Sequence, residues 1–571
     1  MALHGLPRAT VTGTLRRASR VALATARMGA RLLGDRLRGR LTHRRIGQRL
    51  REAIEELGAT ATKIGQQLSV RADLLPPEVT FELERLTDRM PPVPWEQVPG
   101  LIAAELGRPI EEVFSHVDPA PIGSASLACV YRGRLLDGRE VAIKVQRPGV
   151  AMRFAEDLAV LDLMTWSMEA FTLVPAKMFH NLRFDMKLMF GEELDFRLEA
   201  RYQRTFRRIT RQAGMKWITA PRVVSALSTR RLIVTEFVRG VSGGAVLAAI
   251  ESGDTAALLG WGLDPKRLAS RLGRFSAWAR MQATMMHVDP HPGNLILLPD
   301  DQIVLIDFGA CSPAAPRSHR NHREVVRLAL AEDHSAIARV MLNDVSPLPL
   351  LDMDSLLREM EASFSRYIRA LRTPGAHWSE RITAGIWMEM LEVTRRYKIQ
   401  LNLDTIRAIR AFMLYDTVVY RLNPESGTGE LQKVVDDLRA RDGRALRGQL
   451  TGLLDSDQRE VRLGELAQVL ERLRAVLFRL EPTLMSLQML LQTMLKQRDA
   501  FLRQVARGVA TFGLVLALVN GVATLRWLGM DLPTLTPTAL RALGALAGLA
   551  LVGVLAIAGR RLLIDLDRVN A

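Results

Sequence analysis

Three side chains in the middle of the chain, Asp289, Asn294 and Asp307, have the types and spacing needed to hold a divalent ion against phosphate. They lie in the run Met-Met-His-Val-Asp-Pro-His-Pro-Gly-Asn-Leu-Ile-Leu-Leu-Pro-Asp-Asp-Gln-Ile-Val-Leu-Ile-Asp-Phe-Gly, from Met285 to Gly309. Pro290 and Pro292 deny Asp289 a helical setting and favour a rigid, extended loop. Ile296-Leu297-Leu298 and Ile303-Val304-Leu305-Ile306, joined by Pro299-Asp300-Asp301, read as a hairpin that returns Asp307 to the side of that loop. The chemistry such a set can do is phosphoryl chemistry. Asp289 would handle the attacking or accepting group, while Asn294 and Asp307 would hold magnesium on nucleotide phosphates.

Other readings of the same residues carry less. His287, Asp289 and His291 are all standard metal ligands, which admits a zinc or two-metal hydrolase. Pro290 blocks the helical spacing that a His-x-x-x-His site uses, and no further histidine cluster follows closely. Asp-Phe-Gly alone is weak, since any strand ending in a turn can produce it. An Asp, an Asn five positions on, and Asp-Phe-Gly thirteen positions after the Asn is the layout of a protein-kinase catalytic and metal loop.

That layout requires a phosphate loop and a lysine upstream, and both are present. Gly123-Ser124-Ala125-Ser126 is a run of small residues entering a strand through Val130, and small residues let backbone N–H groups approach phosphate. Leu136-Asp137-Gly138 reads as a hairpin turn, and Val141-Ala142-Ile143-Lys144 as the returning strand, with Lys144 set to pair with the α- and β-phosphates. The loop has one glycine where ordinary kinases use three. Glu193 and Glu199 are both candidates for the acid that clamps Lys144, and both also suit an exposed charged helix. Leu232 to Gly240 reads as a buried strand running into a glycine-ended connector, the position of a nucleotide hinge, with Glu236 at its edge.

Elements around the site follow from periodicity and breakers. Ile46, Leu50, Ile54 and Leu57 have helical spacing and Gly58 supplies a stop. A second helix carries Lys63 and Gln66, which alone read as a solvated face, and Trp95 to Leu106 reads as a third, closed by Gly107. Beyond Gly309 the chain reads as almost wholly helical to about Ala500.

The basic residues are mostly arginine, so a lysine at Lys63 or Lys144 hints that a compact ammonium is required. A net charge of +17 over 571 residues suits nucleic acid or anionic lipid, and with only 5% aromatic residues to stack on bases, lipid is favoured. Residues 1–45 are arginine-rich, with no acid before Asp35, and are expected to be a flexible or membrane-surface segment, or a transit peptide. Cys129 and Cys311 form no disulfide framework, which places the catalytic region in a reducing compartment. Gly508 to Leu525 and Ala542 to Ala558 are free of charge, and each has roughly the 17–25 residues of a bilayer-spanning helix. With arginines flanking both outer ends they read as a transmembrane hairpin, and Gly544 and Gly548 suit close helix packing between two chains.

These residues together resemble the UbiB family of atypical, protein-kinase-like ATPases linked to ubiquinone biosynthesis, over about Ile46 to Leu422. Lys63-Ile64-Gly65-Gln66 is similar to the family's Lys-x-Gly-Gln motif, on an N-terminal extension folded over the active site. The resemblance implies functional roles for Lys63 and Gln66, an acidic motif of Glu193 and Asp195 facing the extension, and Glu199 as the partner of Lys144. One departure stands out: Ala128 and Cys129 replace the family's Gly-Gln after the phosphate loop, and Gly123 moves that loop toward an ordinary kinase.

The resulting expectation is an α+β, bilobal kinase-like fold. Residues 46–118 would form a helical extension, 119–240 the small lobe, 241–500 a mostly helical large lobe, and 501–571 a transmembrane hairpin and tail. The expected activity is hydrolysis of Mg-ATP supporting isoprenoid-quinone or related lipid synthesis, with a γ-phosphate-transferring kinase and a nucleotide-gated scaffold as alternatives. Expected partners are anionic membrane lipid, quinone-biosynthesis enzymes or phenolic precursors, and a second copy through the membrane helices, with no nucleic acid. The expected location is a bacterial cytoplasmic membrane with the kinase-like domain in the cytoplasm, ahead of a mitochondrial inner membrane.

Overall fold

The computed structural model describes residues 7–426, apart from 8, 70–74, 87–89, 171–179, 314–315, 343–351, 373–382, 398, 400 and 402, together with a few positions between 433 and 440. The chain divides into two compact units. One comprises Met1–Leu161, Arg183–Ser346 and Leu357–Leu453, and holds the residues of the candidate site; the other comprises Asp162–Leu182, Pro347–Leu356 and Leu454–Ala571.

The chain opens with a helix. α1 (Val11–Leu37) starts at Thr10, whose hydroxyl accepts from the Gly13 N–H and caps the first turn. It lies along α2 (His43–Leu57), held by the Arg49–Asp35 and Arg31–Glu52 ion pairs and by Arg27 with Glu56. Of the readings open for residues 1–45, flexible or membrane-surface, the flexible one does not hold for Val11–Leu37, which is a helix packed on α2. Its arginines have acidic partners on α2, a tertiary match that composition does not reveal.

α2, α3 (Ala59–Ser69) and α4 (Pro77–Glu84) form a small helical extension around Ile54, Ala61, Val79, Leu83 and Leu86. Gly58, at φ 88°, breaks α2 from α3, as its left-handed backbone favours glycine. A Cβ on Gly65 would stand 2.5 Å from Leu86 Cδ1 and 3.0 Å from Ile54 Cδ1, so glycine there lets α3 close on its neighbours.

After α5 (Val98–Leu106), the strands β1 (Phe114–Val117), β2 (Gly123–Ser124), β3 (Ala128–Leu135), β4 (Glu140–Gln146) and β6 (Leu232–Glu236) build an antiparallel sheet in the order β1-β3-β4-β6, with β2 on β3. Alternation along β4 puts Val141, Ile143 and Val145 into the small-lobe core and Ala142 and Lys144 on the other face. Between β4 and β6 run α6 (Val150–Ala170), α7 (His180–Glu193), α8 (Phe196–Gln212) and the short β5 (Ile218–Thr219).

β7 (Val241–Ser242), α9 (Gly243–Ser252), α10 (Thr255–Gly260) and α11 (Pro265–Met281) follow. β8 (Met285–His287) then leads into the loop of Asp289, and β9 (Leu295–Leu298) and β10 (Gln302–Leu305) form the expected hairpin. β5-β10-β9-β7 make one sheet, and β11 (Cys311–Pro313) pairs with β8. The rest is helical: α12 (Pro316–Leu330), α13 (His334–Leu342), α14 (Met353–Arg372), α15 (Gly385–Arg396) and α16 (Leu403–Leu422). Among the described residues no helix is long and apolar enough to cross a membrane. The hairpin expected over 508–558, and the end of the helical run expected to reach about Ala500, lie outside the described residues.

Candidate active site

Lys144 reaches from β4 toward α8. Its Nζ stands 2.8 Å and 3.0 Å from the two Glu199 carboxylate oxygens, 3.5 Å from Asp307 Oδ2, and 5.3 Å from the centre of the Phe196 ring. Of the two acids open in the sequence, Glu199 holds Lys144. It belongs to the inward stripe of α8, Phe196, Glu199, Ala200, Gln203 and Phe206, whose spacing of three to four residues keeps one face buried.

The Asp-Phe-Gly turn is anchored by its aromatic ring. Phe308 is fully buried, edge-on to Phe206 at 5.2 Å and to His287 at 5.0 Å. His287 also hydrogen-bonds the Asp307 carbonyl oxygen through Nε2, and the Gly309 N–H donates to Asp307 Oδ1 at 2.8 Å. Asp307 is thereby fixed while its side chain stays 45% exposed toward the cavity. Burial raises the carboxyl's pKa, but Lys144, the Gly309 N–H and Lys63 outweigh it and bring the pKa down to about 2. Burial also works against the Lys144 charge, and the facing Asp307 and Glu199 carboxylates hold its pKa above the ordinary lysine value.

Asp289 lies beyond β8 in an extended loop, as the two prolines require. Asn294 Nδ2 donates to the Asp289 carbonyl oxygen at 3.0 Å, which fixes the amide and leaves its oxygen for a ligand. The Asp289 carboxylate accepts from Arg410 Nη2 of α16 at 3.3 Å. Three residues earlier on the same helix, Arg407 pairs with Glu192 at 3.6 Å.

These groups face one cavity of about 680 Å³, lined by Lys63, Gly123 to Ala125, Val130, Lys144, Glu193, Glu199, Glu236, Asp289, Asn294 and Asp307. Arg147, which sequence reasoning missed, fastens the small-residue loop. It donates to the Ala125 carbonyl at 2.7 Å, the Ser124 hydroxyl at 2.7 Å and the Pro91 carbonyl at 2.8 Å. The only local signal was a basic residue just past a buried strand. Arg410 gave no signal, being 121 positions from Asp289.

Several expected site residues sit elsewhere. Ser126 is buried and does not line the cavity, where Leu127 stands instead. Gln66 donates to the Leu86 carbonyl at 3.1 Å within the extension, and it too is absent from the cavity wall. Lys63 does reach the site, 3.4 Å from Glu193 Oε2. Asp195 caps α8 through the Arg197 N–H and pairs with the Arg197 guanidinium at 2.7 Å, so of the acidic pair Glu193 is the one that meets Lys63. Cys129 is a free, buried thiol 3.5 Å from the Ser124 hydroxyl.

The donors fit magnesium better than a transition metal. Asn294 and Asp307 offer hard oxygens and few of them, the arrangement of a magnesium ion that takes its remaining ligands from phosphate and water. Among the described residues there is no group of three His, Cys, Asp or Glu placed to hold a metal. His287 is committed to the Asp307 carbonyl and His291 Nδ1 to the Gly293 N–H. The histidine-based hydrolase reading finds no site here.

Fold and site thus define a kinase-like protein: a twisted antiparallel sheet carrying a lysine, and a mostly helical lobe carrying the loop and hairpin acids. Residues 85–341 match the ABC1 atypical kinase-like domain, and the proteins this chain is similar to include UbiB and ABC1 kinases. The chain is 33% identical to a probable protein kinase UbiB of Marinobacter nauticus, over 47% of this chain and 48% of that one. It is 27% identical to the chloroplastic Activity of BC1 Complex Kinase 7 of Arabidopsis thaliana, over 66% of this chain and 52% of that one. The chain spans about half the length of the curated relatives it matches. Among solved structures, Rv3197 of Mycobacterium tuberculosis in complex with erythromycin matches with 24% identity and a TM-score of 0.42, covering 64% of this chain and 89% of that one.

Proposed function

We propose that this chain binds Mg-ATP in the cavity between Lys144 and Asp307 and hydrolyses it. In this reading it is anchored to a membrane by its C-terminal segment and supports isoprenoid-quinone or related lipid synthesis. The observation that carries the reading is the Lys144 ammonium, held between Glu199 at 2.8 Å and Asp307 at 3.5 Å at the mouth of the small-residue loop. Lys144 then neutralises the α- and β-phosphates, and Asn294 and Asp307 hold the metal. Bound there, magnesium would supply positive charge against the phosphates. Asp289, fixed by Arg410, orients the attacking water.

Water is favoured over a bulky protein acceptor because Lys63 of the extension lies against Glu193 at the same cavity. That contact occupies ground a peptide substrate would need. The membrane part rests on the two charge-free stretches near the C-terminus, and the lipid-pathway part on the resemblance to the UbiB family carried by Lys63-Ile64-Gly65-Gln66.

The test is phosphate release from the detergent-solubilised full chain, with and without anionic lipid and quinone-precursor-like phenols. Release that rises with lipid and disappears in Asp307→Asn supports the reading. Stoichiometric phosphate on an acceptor or on the chain itself, with little free phosphate, replaces it with a phosphotransferase. ATP binding without release under any condition replaces it with a nucleotide-gated scaffold.

A further inference from the structure

We infer that the cavity between the first turns of α1 and the start of α6 binds the phosphate of an anionic lipid headgroup, and that it seats α1 on a membrane surface. This deepens the membrane reading above and rests on it. The cavity measures about 500 Å³ and is walled by four guanidinium-bearing residues, Arg16, Arg17, Arg20 and Arg153, with the acids Glu156 and Asp157 among them.

Both acids are already engaged. Asp157 pairs with Arg17, and Glu156 accepts from the Thr10 hydroxyl at 3.0 Å. The approach is close enough that a Cβ on Gly13 would overlap the Glu156 carboxylate. Arg16, Arg20 and Arg153 have no carboxylate partner among the described residues; Arg153 only donates to the Pro148 carbonyl at 2.9 Å. The Thr10 hydroxyl is neutral and leaves the Glu156 charge in place, so four guanidiniums against two carboxylates give the hollow an excess of positive charge that an entering anion offsets, and a guanidinium's planar fork matches phosphate oxygens in pairs.

The occupant is identified by what lies beside the cavity. α1 leaves Val11, Leu15, Leu23, Leu33 and Leu37 exposed, at 76%, 65%, 52%, 59% and 80%. At 100° per residue these five fall within an arc of about 120°. Arg16 lies just past the edge of that arc and Arg20 between it and the buried side, where Ala24 and Asp35 lie. An apolar stripe bordered by arginine, on a chain of net charge +17, is the pattern of a helix lying in an anionic interface: leucines enter the acyl boundary while arginines take the headgroup phosphates. A protein groove would take the leucines but gives no reason for three uncommitted guanidiniums at one cavity.

The experiment uses the full chain with Leu15→Cys carrying an environment-sensitive fluorophore; the native Cys129 and Cys311 are buried and escape labelling. The chain is placed in nanodiscs of phosphatidylcholine alone or with phosphatidylglycerol. A blue shift is expected only with phosphatidylglycerol. It should be lost in R16Q/R20Q/R153Q and kept in R36Q/R38Q/R40Q, at the other end of α1. Equal shifts in neutral discs, or equal loss in both triple variants, overturn the site and leave only diffuse adhesion. A blue shift in detergent that rises with protein concentration assigns the stripe to a protein partner. Thermal stabilisation by inorganic phosphate in detergent, without a response to discs, assigns the cavity to a free phosphoryl compound. A chain that enters neither disc sinks the anchoring reading itself. The inference is then decided on preformed vesicles, where the phosphatidylglycerol-dependent shift must still appear.

Discussion

The Lys63 ammonium, on the N-terminal extension, stands 3.4 Å from the Glu193 carboxylate at the end of α7, with both side chains largely buried. A helix whose sequence reads as solvated thus delivers a cation to the cavity lined by Lys144 and Asp307. Removing Lys63 takes a cation away from a buried acid, whereas Glu193→Gln keeps a polar group in the acid's place. Lys63→Ala is therefore expected to destabilise the fold more than Glu193→Gln. A double-mutant cycle in urea should give a coupling of about 1 kcal/mol or more, above that of exposed pairs. Additive effects would mean that the pair does not hold the extension.

The nucleotide reading makes Asp307 and Lys144 unequal partners. Asp307→Asn removes a metal-binding oxygen and should lower turnover by about 10²-fold or more, in line with losing one preorganised electrostatic contact. Lys144→Met should instead weaken nucleotide binding, seen by isothermal titration, because its charge meets the phosphates already in the ground state. Unchanged ATP affinity in Lys144→Met would remove Lys144 from the phosphates.

Acid should weaken the folded state through Asp307. Its folded pKa of about 2 lies below the ordinary value of 3.8, so the ionised group stabilises the fold above pH 4. That contribution is lost as pH falls from about 4 toward 2. The urea midpoint of Asp307→Asn should therefore fall less than that of the unmodified chain across this window. Parallel curves would show that Asp307 gains nothing from Lys144 and Gly309.

Arg410 touches Asp289 without lining the cavity, and its charge also reaches Glu84 on α4, where burial raises the carboxyl pKa and Arg410 opposes it. It is a positioning residue. Arg410→Ala should reduce kcat by about tenfold while leaving ATP affinity within experimental error, since misplacing an orienting group affects the chemical step. Arg410→Lys should recover part of kcat. A matching loss of affinity would place Arg410 on the nucleotide instead.

Gly65 tests the extension by shape alone. A Cβ there meets Leu86 Cδ1 at 2.5 Å and Ile54 Cδ1 at 3.0 Å, so Gly65→Val should overpack the three-helix extension at a cost of about 1–3 kcal/mol. Limited proteolysis should then cut between α3 and α4 sooner than in the unmodified chain. Equal protection would mean that the helices can part without cost.

Much of the centre was legible because its signals are local. Two prolines fix the Asp289 loop, a short polar turn joins two apolar runs into the hairpin that returns Asp307, and alternation along β4 sets Lys144 opposite the core. Each depends on backbone rules acting over a few residues, and spacing alone carries them. Composition left α1 open between a flexible and a membrane-surface segment, because its docking depends on acids such as Glu52 on α2 and Asp157 on α6, and composition cannot pair charges so far apart.

The same limit applies at the site. Sequence allowed either Glu193 or Glu199 as the clamp, and packing of α8 under the sheet assigned Glu199 to Lys144 and left Glu193 to Lys63. Asp195 was drawn to its own helix end because a capping N–H two residues on is nearer than any distant lysine. Arg147 and Arg410 came only with the tertiary structure: a long cation has no fixed direction until folding decides which carbonyl or carboxylate lies within its reach.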